Sequence, residues 1–139
     1  MRSATLLVFL FGSLILPGQD RTTKVKSVSA TPTSAASGKE MFTAYCASCH
    51  GEDGKGNGPA SPALKNMPAD LTSLGRNNGG KFPGMAVMTS IENGGTRAHG
   101  SKDMPVWGPV LMSVSNGRTL VVTQRISNLT GYIESLQSK

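Results

Sequence analysis

The sequence predicts an all-α domain of a few short helices joined by long loops and packed around an object that the polypeptide itself does not supply. Three observations carry that expectation. Near the C-terminus Val122, Ile126, Leu129, Ile133 and Leu136 follow one another at four- and three-residue steps, a continuous stripe of helical period. Between Gly51 and Gly84 the chain carries eight glycines and four prolines (59, 62, 68 and 83), which leaves room only for short helical turns between loops. Aromatic residues are 5% and hydrophobic residues 37% of a 139-residue chain, a thin supply of apolar side chain for one domain. No segment with a two-residue period offers an alternative core.

From the N-terminus, Met1 and Arg2 precede an apolar run from Ala4 to Leu16 that closes at Pro17-Gly18. The run is shorter than the roughly 20 residues of a spanning helix, and Gly12 and Ser13 weaken it, so residues 1–18 read as a cleaved export signal in preference to a retained anchor. Cleavage near Gly18 removes Arg2 and leaves a net charge of +5, against +6 for the whole chain. Residues 19–36, rich in Ser, Thr and Ala and without apolar period, read as a flexible linker, and 37–139 as the folded domain. Ser37-Gly38-Lys39-Glu40 has the pattern of a helix cap with Glu three positions on. The helix it starts runs past Met41, Phe42, Tyr45 and Cys46 and ends by Gly51. A second is expected from Met85 to Glu92, with Met85, Met88 and Ile91 filling the core, and the last from Arg118 to Gln137. Gly131 in that helix, unfavourable by about 1 kcal/mol relative to Ala, suggests a close backbone approach.

The chemistry is concentrated at Cys46-Ala47-Ser48-Cys49-His50. Cys-x-x-Cys-His is the attachment signature of a c-type haem: two thiols one helical turn apart add to the two vinyl groups, and the adjacent His reaches the iron. A thioredoxin-type dithiol expects a strand before the motif, and none is readable there. A structural zinc site needs four ligands, and the chain offers no third Cys and only His99 besides His50. A disulfide across so short a loop gains little from closure. A haem would also provide the buried aromatic surface that the composition lacks.

From about Ser37 to Gln137 the chain resembles a class I monohaem cytochrome c domain. The resemblance rests on Cys46–His50 at the end of a first helix, the Gly-rich loop from Gly51 to Pro59, Met104-Pro105-Val106-Trp107-Gly108 late in the chain, and the C-terminal amphipathic helix. It implies one haem c, covalent through Cys46 and Cys49, with His50 as proximal ligand. For the sixth position Met67, Met85, Met88, Met112 and His99 compete by residue type. Met104, in a loop and fixed by the following proline, stands where the family places its distal ligand. The resemblance further implies that the carbonyl of Pro59 or Pro62 orients His50, that Leu64 packs on the haem, and that the first and last helices cross through Gly38, Phe42 and Tyr132. Trp107 is expected either to cover a haem edge or to pack in the core. Arg76 and Lys81 are expected at the surface.

With both axial positions filled the expected function is one-electron transfer in a periplasmic chain, not catalysis. The alternative is a cytochrome subunit of a dehydrogenase, oxidase or reductase complex. Charged residues are only 16% of the chain, which excludes a nucleic-acid arm. The excess of basic residues, among them Lys55, Lys65, Lys81, Arg97 and Lys102, fits redox partners with acidic docking surfaces. Membrane attachment is expected only if residues 1–18 are retained.

Overall fold

The computed structural model describes residues 30–94 and 104–138; the export segment, Arg97, His99 and Lys102 lie outside them. The described residues form six α-helices, α1 (Gly38–Tyr45), α2 (Ala47–His50), α3 (Leu74–Asn77), α4 (Gly84–Asn93), α5 (Trp107–Val114) and α6 (Thr119–Ser135). Short 3-10 turns lie at Ser61–Ala63 and Leu71–Ser73, and there is no strand among the described residues. No described helix is long and apolar enough to cross a membrane.

Ser37 caps α1 through its hydroxyl, which accepts the Glu40 N–H at 3.1 Å. The helix brings Met41, Phe42 and Tyr45 to one buried face and crosses α6 there. The crossing is close because residue 38 has no side chain: a Cβ on Gly38 would overlap the Asn128 carbonyl and Tyr132 Cβ. Phe42 and Tyr132 meet four residues further on, ring centroids 5.2 Å apart. Gly131 faces open space, so the expected close approach falls on the α1 side of the contact and not at Gly131. Val122, Ile126, Leu129 and Ile133 are buried as the stripe requires, and Leu136 is half-buried against them.

Two elements differ from expectation for reasons of helix geometry. The buried face of α4 is Val87, Ser90 and Ile91, whereas Met85 is 77% exposed and Met88 half-buried. Steps of three residues drift about 60° each around an α-helix, so Met85 and Ile91 point some 120° apart. Helix α5 was not expected, because Trp107-Gly108-Pro109 reads as a turn. Pro109 stands in the first turn of α5, where a missing N–H removes no intrahelical bond. Gly108 lets that turn lie against the Glu92 carbonyl at the end of α4.

The stretch assigned to the linker is bound to the domain at its C-terminal end. Ala30 packs on the core, the carbonyls of Thr31, Thr33 and Ala35 accept hydrogen bonds from Tyr45, Arg125 and Asn128, and Thr33 Oγ1 is shared by Tyr45 and Arg125. Neither an apolar period nor a helix signal marks this strap, since its bonds to the helices run through backbone carbonyls, the Ser34 N–H to Glu40 Oε1, and one hydroxyl.

Candidate functional site

Helix α1 ends at Tyr45, and the Cys46 carbonyl accepts the N–H groups of Cys49 (3.1 Å) and His50 (2.9 Å), winding the motif into the single turn α2. Gly51 then leaves the helix at φ 77°, a conformation that glycine adopts without strain. The loop beyond it folds back on that turn: the amides of Gly56, Gly58 and Ala60 donate to the carbonyls of His50, Cys49 and Ser48 at 2.7, 3.1 and 2.8 Å. Gly58 is required there because a Cβ would strike the Ala47 and Ser48 carbonyls. The Gly-rich loop thus fixes the Cys-x-x-Cys-His turn by satisfying its free C-terminal carbonyls.

The imidazole of His50 is oriented by Ala69, whose carbonyl lies 3.0 Å from Nδ1. Neither Pro59 nor Pro62 is the acceptor. Pro59 belongs to the fold-back loop and lines a shallow surface hollow with Glu52, Asp53 and Asn57, and Pro62 sits in the Ser61–Ala63 turn. The chain returns to the ring only at Pro68-Ala69. Asp70 holds it there, its Oδ1 accepting from Thr72 N–H (2.8 Å) and Thr72 Oγ1 (2.7 Å), while the Leu71 N–H donates to the Gly54 carbonyl at 2.7 Å. The Thr72 hydroxyl leads the effects that lower the Asp70 carboxyl below its ordinary pKa. Asp70-Leu71-Thr72, an Asx turn readable as such, was the available signal for this contact.

Burial lowers the pKa of His50, with the Ala69 carbonyl opposing, so the ring is neutral near pH 7. Nδ1–H donates to Ala69, and Nε2 keeps its lone pair for a metal. The Cys46 thiol is pushed up to about 12 by burial and by Cys49, the reverse of the activated thiol that a dithiol oxidoreductase needs. Both cysteines are free, and among the described residues no cluster of three or more His, Cys, Asp or Glu could hold a metal ion such as zinc.

Cys46, Cys49 and His50 line a cavity of about 350 Å³. The segment after the motif contributes Leu64, Pro68 and Leu71 to its wall, and α3 contributes Leu74; α4 contributes Val87, Ser90 and Ile91, and α6 contributes Ile133. The remaining side is Tyr45 with Met104, Pro105 and Trp107. Of the candidate distal ligands among the described residues, Met104 alone shares this cavity with His50. Met67 is 81% exposed, Met85 is exposed on α4, and Met88 and Met112 pack half-buried against the core. Trp107 borders the cavity and packs in the core against Tyr45, ring centroids 5.3 Å apart at 30°. Tyr45, Ser90 and Ala69 are site residues that the sequence reading missed.

The residues present fit a haem. Two thiols and an imidazole with one free nitrogen border the same mostly apolar space, a thioether borders it as well, and the Ser90 hydroxyl on its wall is buried without a hydrogen-bond partner. Arg76, Lys65 and Lys81 are exposed and lie outside the cavity wall, and Lys55 is 3.8 Å from Asp53.

A small all-α domain built around an apolar cavity, with a Cys-x-x-Cys-His turn at its wall, has the arrangement of a c-type haem protein. The family model for cytochrome c matches residues 35–137, and the chain belongs to the cytochrome c family. Comparison with curated proteins and with solved structures gave no match. Membership carries haem-based electron transfer as the family's chemistry, cytochrome c domains being typically electron carriers.

Proposed function

We propose that this protein is an exported one-electron carrier with His50 and Met104 as the axial ligands of one haem c, anchored by Cys46 and Cys49. The observation that carries the reading is the single cavity shared by these four side chains. A haem held there supplies reversible one-electron oxidation and reduction of its iron. His50, fixed through Nδ1 by the Ala69 carbonyl, offers Nε2 in one orientation in both oxidation states. Met104 would offer a thioether, a ligand that favours ferrous iron, and a haem held by both side chains would leave no position open to a substrate. The apolar wall from Leu64, Leu71, Leu74, Val87 and Ile91 would keep water from a haem held there and so favour its less charged ferrous state.

The absorption spectrum of the oxidised holoprotein tests the ligand pair. A thioether-to-ferric-iron charge-transfer band at the red edge is expected, and its absence would remove Met104 from the iron. Export is tested by the mass of the isolated protein, which should show loss of about 18 residues and one covalent haem. The exposed Lys65 and Lys81 fit docking to an acidic partner, so electron exchange should slow as salt rises and screens charges beyond roughly 8 to 10 Å.

A further inference from the structure

We propose that Arg125 is a positioning residue for the electron-transfer site, acting through the strap at residues 31–33 on the aromatic wall of the cavity. The inference rests on the reading of that cavity as a haem site. Arg125 is 5% exposed on α6, and the ion pair found among the described residues is Lys55–Asp53, so no described carboxylate stands within ion-pair distance of the buried guanidinium. Burying a cation in this way is costly. Its N–H groups are met by neutral oxygens: Nε–H donates to Ser115 Oγ at 3.1 Å, and the two terminal nitrogens donate to Thr33 Oγ1 at 2.9 Å and to the Thr33 carbonyl at 2.8 Å.

These bonds set a direction. The Tyr45 hydroxyl donates to the Thr31 carbonyl at 2.6 Å, so its 2.9 Å contact with Thr33 Oγ1 takes the Thr33 proton. Thr33 Oγ1 in turn accepts from Arg125. The cation therefore polarises a one-way chain from Arg125 to Thr33, Tyr45 and Thr31. Tyr45 is the last residue of α1, its ring stacks on Trp107, the first residue of α5, and both rings border the cavity beside Met104. Thr31 and Thr33 precede residue 35, where the match to the family begins. The planar fork of this clamp suits Arg and not Lys, because three oxygens on two segments are held at once. Clamped from outside, the ring pair keeps that wall closed to water, and a wetter cavity would favour the ferric form.

The test uses the full-length holoprotein from a host that attaches haem, with redox titration and near-ultraviolet circular dichroism as readouts. Thr33→Val removes the hydroxyl link and leaves the strap carbonyl; Tyr45→Phe cuts the same link from the other side. Each should lower the ferrous-to-ferric ratio at the wild-type midpoint about threefold, about 28 mV on a scale of 59 mV per tenfold, and alter the Tyr45–Trp107 dichroism. The double variant should change the potential by less than the sum of the two single effects, since both remove the Tyr45–Thr33 bond, while Tyr45→Phe also frees the Thr31 carbonyl and Thr33→Val also frees one terminal nitrogen of Arg125, and Arg125→Lys should behave like Thr33→Val. Asn128→Ala, which releases the Ala35 carbonyl without touching this chain, should lower stability and keep the wild-type potential. Wild-type potential and dichroism in Thr33→Val, additive effects in the double variant, or an equal potential shift in Asn128→Ala would each overturn the proposal. A wild-type protein whose mass shows no covalent haem would instead overturn the electron-carrier reading, before any variant is compared.

Discussion

On the His50 side of the cavity the contacts that shape the wall run through backbone, and on the Met104 side through side chains. Around His50 the contacts run from the amides of residues 56, 58 and 60 to the carbonyls of α2 and from the Ala69 carbonyl to the ring, all within about 20 positions of the motif. Around Met104 the wall is Tyr45 stacked on Trp107, clamped through Thr33 by an arginine 92 positions further along the chain. Backbone bonding tolerates changes of side chain but not an added Cβ where chains touch; side-chain bonding has the opposite sensitivity. The first side is therefore built to be invariant, and the second can tune the site.

The largest effect is expected at Met104, the proposed sixth ligand. Met104→Ala should abolish the red-edge charge-transfer band, lower the potential and admit exogenous ligands such as cyanide or imidazole, read by absorption and redox titration. An unaltered spectrum would move the sixth ligand to another side chain. On the backbone side the sharpest change is the smallest one chemically. Gly58→Ala, adding one carbon against the Ala47 and Ser48 carbonyls, should destabilise the holoprotein by about 1–3 kcal/mol in denaturant titration, and a neutral result would show that the loop is not tightly seated.

Asp70→Asn should cost about 1 kcal/mol or less near neutral pH, because the amide keeps an oxygen to accept from Thr72 and the charge at this half-buried position is partly screened. Its pKa is lowered in the folded protein, so its contribution is fully present above the unfolded value near 3.8 and is lost as pH falls through the lower folded value. Thermal melts from pH 6 downward should therefore show a shallower acid limb in the variant than in the wild type. The smallest effect is expected at Met85, where Ala should change stability by no more than about 0.5 kcal/mol, since the side chain is solvent-exposed. A loss of several kcal/mol there would mean that α4 packs through the three-residue face after all.

The α6 stripe, the Ser37 cap and the Cys46–His50 turn were legible in the sequence because each is local: a period, a capping pair, or two thiols and an imidazole within five residues. Met104 and Trp107 could be proposed for the site from their loop and the family pattern, and both prove to border the cavity. Helix α5 was hidden by a proline whose tolerance depends on which turn of the helix it occupies. The α4 face was misread because three-residue spacing approximates the helical period over one step and not over two.

What the sequence by itself determined is the all-α class, the first and last helices, and the chemistry of the Cys-x-x-Cys-His turn. Only the tertiary structure decided that Ala69 and not a proline orients His50, that Ser90 and Tyr45 border the cavity, and that a supposed linker is tied to α6 by Arg125. The physical reason is common to all three. A carbonyl acceptor looks alike at every residue, and a buried arginine or serine has the residue type of a surface one. Which of them meets a partner depends on where distant segments cross, and here that crossing is set by Gly38, where the missing side chain lets α1 lie against α6.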